Sequence, residues 1–242
     1  MQSPRANPPV VTPRVVVVGD LLCDLLAKVE GSVAFGTDTF VPIQVAAGGS
    51  GANVAAWLAS SDVEAHFVGR IGDDVFGGFL AEELKRAGVT PHLARDPSVA
   101  TGKVFVLVDG TGERTMITDR GAGEALNPED LPGPLFVGGH LLLSGYTLSG
   151  GSRRETAKRA LHLARRSGMT VSVDPSSVPL LRAVGPGRFL EWTLGADLCF
   201  PNLEEGKVLA VRLSGAPPAE ALRRGVGLAA QAVERVGARP GN

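Results

Sequence analysis

A glycine-rich turn is the first feature of this sequence whose residue types could do chemistry. Residues 46–60 read AAGGSGANVAAWLAS, so the glycines run directly into an alanine-rich helical pattern. Gly48, Gly49 and Gly51 leave room for a ligand beside the backbone, and turns of this kind often bind phosphate. A dinucleotide fingerprint would need a third glycine where Val54 stands, and a Walker loop would need a following Lys-Ser or Lys-Thr pair. On the loop alone, a plain strand-to-helix turn remains an equal alternative.

Two polar residues near this turn could bind hydroxyl groups. Asn53 lies in the first turn of the predicted helix, and its side-chain amide both accepts and donates hydrogen bonds. Asp24, in the stretch GDLLCD, is expected just beyond the first strand, where open α/β sheets place ligands. Its carboxylate could accept two hydrogen bonds from vicinal hydroxyls. The alternative for Asp24 alone is a helix cap or a surface acid.

The stretch PNLEE at 201–205 supplies a second polar pair. Asn202 begins a predicted helix after a strand, and Glu205 stands three residues later. This spacing is typical of a capping box, in which the two side chains satisfy backbone amides at the helix start. The functional alternative is that Asn202 and Glu205 face a site for phosphate and magnesium, since Mg²⁺ is often held through few carboxylates together with phosphates.

The remaining polar motifs favour architectural roles. Asp73 and Asp74 precede a helix, where carboxylates cap amides and meet the positive end of the helix dipole. The four histidines are scattered, and we expect His66 and His140, which fall in strands, to be structural. No GxSxG nucleophile motif is present in the sequence.

The elements that must position these residues alternate between strand and helix. We predict strands near 15–18, 40–46, 64–68, 140–144, 169–174 and 197–200, and helices near 52–59, 75–87, 152–167, 203–211 and 219–236. This alternation indicates an α/β fold with a mainly parallel sheet covered by helices on both faces. Extended residues near 29–45 and a hairpin within 100–120 interrupt the alternation and predict a small β-sheet lid. We expect a flexible tail at 1–13 and one domain over 14–242.

Composition narrows the class of protein. The chain has 242 residues, of which 44% are apolar, and a formal net charge of −1, which argues against a nucleic-acid binder. No apolar stretch is long enough to predict a membrane span. Cys23 and Cys199 lack metal-ligand spacing, and we expect both to be buried, reduced thiols in a cytoplasmic protein.

Taken together, the motifs resemble the ribokinase-like sugar kinases of the phosphofructokinase-B type. The resemblance rests on GGSGAN, GRIGDDVFG, the β hairpin, VDPSS at 173–177 and PNLEE, and it covers the chain from about residue 14 onward. It implies a parallel sheet with a β lid, transfer of the γ-phosphoryl group of ATP to a hydroxyl of a sugar or nucleoside, a requirement for Mg²⁺, and a possible homodimer formed through the lid.

The resemblance also implies roles for particular residues. Four residues match positions that bind substrate: Asp24, Gly48, Gly49 and Asn53. Asn202 and Glu205 match the N-x-x-E motif near the triphosphate and magnesium, with Glu205 acting on the metal indirectly.

The chain departs from the family pattern at the motif that carries the catalytic aspartate. A late GAGD sequence is absent: Gly121-Ala122-Gly123 is followed by Glu124, and Gly215-Ala216 leads into prolines. We therefore expect no catalytic base in these 242 residues, missing C-terminal strands and helices, and impaired turnover. The alternatives are a non-catalytic module that binds a sugar or nucleoside and, with less support, a nucleotide-binding Rossmann module.

Overall fold

The protein is described here from a computed structural model, which defines residues 12–210. The main sheet contains six parallel strands: β1 (Arg14–Val18), β4 (Glu64–Gly72), β5 (Thr90–Asp96), β8 (His140–Ser144), β9 (Thr170–Asp174) and β10 (Leu198–Cys199). Their order across the sheet is β10-β9-β8-β1-β4-β5. The predicted α/β architecture is therefore confirmed.

Both faces of the main sheet are buried. Along β1, Val16 and Val18 belong to one apolar cluster, whereas Val15 and Val17 belong to another. Successive side chains of a strand point to opposite faces, so this alternation shows that helices cover the sheet on both sides. The helices are α1 (Ser50–Ala59), α2 (Val75–Arg86), α3 (Gly151–Arg166), α4 (Val178–Val184), α5 (Pro186–Trp192) and α6 (Leu203–Ala210).

A second, four-stranded sheet forms the predicted lid. Its order is β3-β2-β6-β7, with β2 (Leu22–Lys28), β3 (Ile43–Gly48), β6 (Thr101–Val108) and β7 (Arg114–Gly121). β2 runs antiparallel to β3 and parallel to β6, and β6 and β7 form the hairpin that the sequence predicts. The lid sheet begins at Leu22, earlier than the predicted insert near 29–45. The three residues 19–21 are sufficient to carry the chain from the end of β1 in the main sheet to the start of β2 in the lid.

The GRIGDDVFG motif joins the two sheets at the start of α2. Asp74 is the N-cap of this helix, and its Oδ1 accepts a hydrogen bond from the Gly77 amide at 2.8 Å. Asp74 also accepts from the amide and hydroxyl of Thr101, at 2.8 and 2.7 Å. One carboxylate therefore fixes both the helix start and the first lid strand that follows it, as the capping prediction required.

Other sequence predictions were incomplete. β5 was missed because its sequence, TPHLARD, is polar and contains proline, and α4 and α5 were missed because each is only seven residues long. Cys23 is buried as predicted, but Cys199 is exposed because it lies on the short edge strand β10. The predicted helix at 219–236 and the Gly215-Ala216 pair lie outside the described residues, as does most of the predicted tail. Short 3₁₀ turns occupy Ala122–Ala125, Pro128–Asp130, Gly133–Leu135 and Gly145–Leu148.

Candidate functional site

The glycine-rich turn enters α1 at the carboxyl end of β1. The first amides of α1 already have acceptors in the chain: the Gly51 amide donates to Asp20 Oδ1 at 3.4 Å, and the Ala52 amide donates to the Asp20 carbonyl at 3.3 Å. A phosphate bound at this helix start would have to displace the Asp20 carboxylate and would meet its negative charge. The geometry therefore disfavours the phosphate-binding interpretation of the loop.

The carboxylate of Asp24 packs against the Cα atom of Gly48 on the neighbouring strand. A Cβ atom built at position 48 would overlap the carboxyl atoms of Asp24, so only glycine leaves this carboxylate in place. The expected location of Asp24, just beyond the first strand, was wrong. It lies within β2, opposite Ala46 on one neighbouring strand and Val104 on the other, because the chain enters the lid sheet only two residues before it.

Gly49 is the N-cap of α1 and has a φ of 96°, a conformation that side chains other than glycine rarely adopt. A side chain there would also run into the backbone of Asp20. Asn53 lies four residues further on and is half-buried in the first turn of α1. Its backbone amide donates the first hydrogen bond of the helix to the Gly49 carbonyl, at 2.9 Å. The structure thus brings Gly48, Asp24 and the start of α1 together at one end of the lid.

A chain of small polar side chains lies beside this turn, and the sequence analysis did not identify its two carboxylates, Asp20 and Asp174, as site residues. Ser144 Oγ is 3.3 Å from Asp20 Oδ1 and 3.4 Å from Ser50 Oγ, and Ser50 Oγ is 3.4 Å from Asp174 Oδ2. Burial raises the pKa of the Asp174 carboxyl above its usual range. Asp20, Ser144 and Asp174 lie at or just after the carboxyl ends of β1, β8 and β9. Their shared position after predicted strands is the feature of the sequence from which this group could have been identified.

Asn202 and Glu205 form the predicted capping box at the start of α6. The Glu205 carboxylate accepts from the Asn202 backbone amide at 3.0 Å and from Asn202 Nδ2 at 2.8 Å, and Asn202 Oδ1 accepts from the Glu205 amide at 2.9 Å. Glu205 is only 3% exposed, and burial raises its pKa.

A direct metal role does not fit this pair as it stands. Both oxygens of Glu205 are engaged by Asn202, and no group of three or more His, Cys, Asp or Glu side chains among residues 12–210 could hold a metal ion. The arrangement is compatible only with the indirect role that was predicted for Glu205, in which Mg²⁺ would be held through phosphate oxygens and water. Within the same described range, no helix is long and apolar enough to cross a membrane.

Comparison with known proteins places this site in a family. A family model described as pfkB family carbohydrate kinase matches residues 12–212. The chain belongs to the pfkB carbohydrate kinase family. This finding confirms the resemblance that the glycine turn, GRIGDDVFG and PNLEE predicted.

Individual pfkB relatives agree with that assignment. The chain is 35% identical over 166 residues to a fructokinase from Klebsiella pneumoniae, a match that covers 67% of this chain and 50% of the relative. It is 33% identical over 160 residues to an ATP-dependent ribose-1-phosphate kinase from Halopiger xanaduensis, covering 65% of this chain and 50% of the relative. A solved structure of fructokinase with bound ATP from Xylella fastidiosa superposes with a TM-score of 0.73 at 25% identity, covering 88% of this chain and 68% of that one. The ribokinase-like fold is thereby confirmed, and the chain spans about half the length of the curated relatives it matches.

Proposed function

We propose that this pfkB family member belongs to an ATP-dependent sugar kinase. Such an enzyme transfers a phosphoryl group from MgATP to a hydroxyl of a small sugar or nucleoside. The observation that carries the proposal is the placement of the Asp24 carboxylate across Gly48. Because residue 48 has no side chain, the Asp24 carboxylate can lie beside the glycine turn. In that position it could accept hydrogen bonds from the hydroxyl groups of a substrate.

Each candidate residue has a distinct part in the proposed binding step. Asp24 accepts hydrogen bonds from substrate hydroxyls, and Asn53 supplies an amide that can donate or accept. Gly48 leaves room for the Asp24 carboxylate, and Gly49 adopts the backbone conformation that begins α1, so both glycines act by shaping the site. Such contacts orient the hydroxyl, and phosphoryl transfer depends mainly on orientation and charge neutralisation.

The nucleotide is proposed to lie toward α6. The Asn202–Glu205 box at the start of that helix supports this position because it matches the N-x-x-E motif, and bound Mg²⁺ would supply charge neutralisation at the phosphates of ATP. Support comes from the relatives, whose names include an ATP-dependent kinase and a fructokinase with bound ATP. Because ATP is a cytoplasmic cosubstrate, the proposal includes a cytoplasmic location and small molecules, rather than nucleic acid or membranes, as partners.

A second candidate function is sugar or nucleoside binding without turnover. It is favoured by the distribution of the motifs: all four proposed substrate residues are present, whereas the sequence contains no GAGD. We predict that the 242-residue chain lacks normal turnover, because loss of a general base typically lowers the rate by about 10²–10⁴-fold.

One experiment addresses both candidates. Calorimetric titration of the 242-residue chain with fructose, ribose and adenosine measures binding, and an ADP-release assay with the same compounds measures turnover. We expect binding of at least one compound, its loss in Asp24→Asn, and no effect in the control Asp38→Asn, which changes an exposed acid in the β2–β3 connection. A folded chain that binds none of these compounds, or any close sugar analogue, contradicts the proposal. ADP release at about 1–100 s⁻¹ would exclude the binding-only candidate.

The proposal also includes a homodimer formed through the lid. One apolar residue from each lid strand lies in a single row: Val45, Leu25, Phe105 and Ile117 are paired in register across the sheet. Three of them are exposed by 52%, 48% and 64% of their surface, namely Val45, Phe105 and Ile117. Exposed apolar rows of this kind are typical of protein interfaces, and this row lies on the face of the lid opposite Asp24.

A further inference from the structure

Two histidines meet near the amino ends of their strands in the main sheet, away from the glycine turn. His66 lies in β4, and His92 lies in the neighbouring strand β5, which forms one edge of the sheet. His66 Nδ1 is 3.2 Å from His92 Nε2, and the ring centroids are 5.3 Å apart. His66 is only 8% exposed and His92 is half-buried, so the two rings share a hydrogen bond that is largely shielded from water.

The contacts of the other ring nitrogen of His66 decide the direction of that hydrogen bond. Glu64 Oε1 is 2.8 Å from His66 Nε2, and Arg14 Nε is 3.2 Å from the same nitrogen. A carboxylate only accepts hydrogen bonds, so the shorter contact assigns a hydrogen to His66 Nε2. His66 Nδ1 is then the acceptor in the neutral ring, and His92 Nε2 donates to it.

This arrangement accommodates one added proton and not two. When one ring is protonated, a single hydrogen still lies between His66 Nδ1 and His92 Nε2, and the hydrogen bond is kept. When both rings are protonated, each of these two nitrogens carries a hydrogen that points at the other, and two positive charges are in contact. The two rings therefore titrate as a unit, and the second proton breaks the contact between β4 and β5.

The charges in contact with the histidines do not offset a second proton. Glu64 neutralises one positive charge and binds only the His66 ring. Arg14 reaches the pair from β1 and adds a positive charge beside it. Burial, together with the charges of His66 and Arg14, lowers the pKa of His92. A lowered pKa means that the fold favours the neutral His92 ring.

The next charged groups on the same face of these strands are paired with one another. Arg70 in β4 binds Asp96 in β5 at 3.0 Å, and it also binds Asp130 at 3.0 Å. Each of the strand residues lies four positions beyond a histidine, and both carboxylates are engaged by the guanidinium. Glu64 and Arg14 thus remain the charges that act directly on the histidines.

We propose that His66 and His92 form a single-proton pair that makes the packing of the edge strand β5 against β4 sensitive to acid. At neutral pH, the shared hydrogen bond holds the two strands together on this face of the sheet. In acid, the unfolded chain protonates both histidines, whereas the folded chain protonates only one. The stabilisation is therefore fully present above the unfolded-state pKa of about 6.5 and is lost as the pH falls below it.

Urea denaturation of the 242-residue chain at several pH values tests the proposal against His92→Gln. A glutamine amide can donate to His66 Nδ1 or accept from it, so the contact is kept but no second proton is excluded. We compare unfolding constants as a ratio, native over His92→Gln, so that other titrating groups such as His140 cancel. This ratio should rise roughly tenfold between about pH 7.5 and pH 5.5, because the unfolded native chain binds one additional proton.

His162→Gln is the control, since His162 is exposed on α3 and water reaches its ring in both states. It should keep the pH profile of the native chain. NMR titration of the imidazole nitrogens of the native chain gives a second readout and decides the matter if His92→Gln fails to fold: only one of the two rings should protonate near the usual histidine range. A ratio that does not change with pH, or protonation of both rings near pH 6.5, overturns the proposal, and neither result bears on the proposed sugar kinase function.

Discussion

At the scale of single residues, the site depends on the space beside Gly48. The Asp24 carboxylate occupies the volume that any other side chain at position 48 would need. Gly48→Ala should therefore displace Asp24 and abolish sugar binding in calorimetry, even though the new side chain adds only one methyl group. The expected cost in stability is about 1–3 kcal/mol, since overpacking forces neighbouring groups to shift.

Gly78→Ala is the matched control for this prediction. Gly78 lies in α2, and a Cβ there would have no atom within 4 Å. We expect unchanged sugar binding and a gain of about 0.4–1 kcal/mol in the free energy of unfolding, because alanine is preferred to glycine inside helices. Sugar binding by Gly48→Ala with the affinity of the native chain would contradict the proposal that the Asp24 carboxylate binds sugar from its position beside Gly48.

At the scale of elements, Asp74 connects α2 to the start of the lid strand β6. Asp74→Ala would leave the Gly77 amide and the Thr101 amide and hydroxyl without their acceptor. Removing an N-cap that also satisfies buried donors should lower the free energy of unfolding by roughly 2–3 kcal/mol, measured by urea denaturation. Asp73→Ala, which removes an exposed pair with Arg95, should cost less than about 1 kcal/mol. Equal costs for the two variants would contradict the role given to Asp74.

The same carboxylate predicts a dependence of stability on pH. Burial alone would raise the pKa of Asp74, but the hydrogen bonds from Thr101 and Gly77 outweigh it and lower the pKa below the usual value of 3.8. A carboxyl whose pKa is lower in the folded state stabilises the fold above its unfolded-state pKa. This contribution is lost as the pH falls below about 4. Asp74→Ala should accordingly flatten the acid limb of the stability curve.

At the scale of the whole molecule, the apolar row of the lid predicts the oligomeric state. Ile117→Lys should convert a dimer to a monomer in sedimentation velocity, because a charge would have to be buried in the interface. Met116→Lys is the control, since Met116 is similarly exposed, at 56%, but points to the other face of the same strand. A native chain that is monomeric at every concentration tested would rule out the proposed dimer.

The sequence was most informative where chemistry and local structure coincide. The glycine turn, the Asp74 cap and the Asn202–Glu205 box are all short-range features, in which residues one to four positions apart satisfy each other. Their motifs therefore predicted both the family and the elements that carry the site. The polar strand β5 and the seven-residue helices α4 and α5 carry no such local signal, and packing against the main sheet decides their structure.

By itself, the sequence determined the α/β class, the lid hairpin, the family and the four proposed substrate residues, because each follows from residues that are near one another in the chain. Only the tertiary structure placed Asp24 within the lid sheet and across Gly48, since that contact joins two strands whose register no local pattern specifies. It also brought Asp20 to Ser144, two residues that are 124 positions apart in the chain. Contacts over such distances depend on how the main sheet is assembled, and that arrangement decides which polar residues lie side by side.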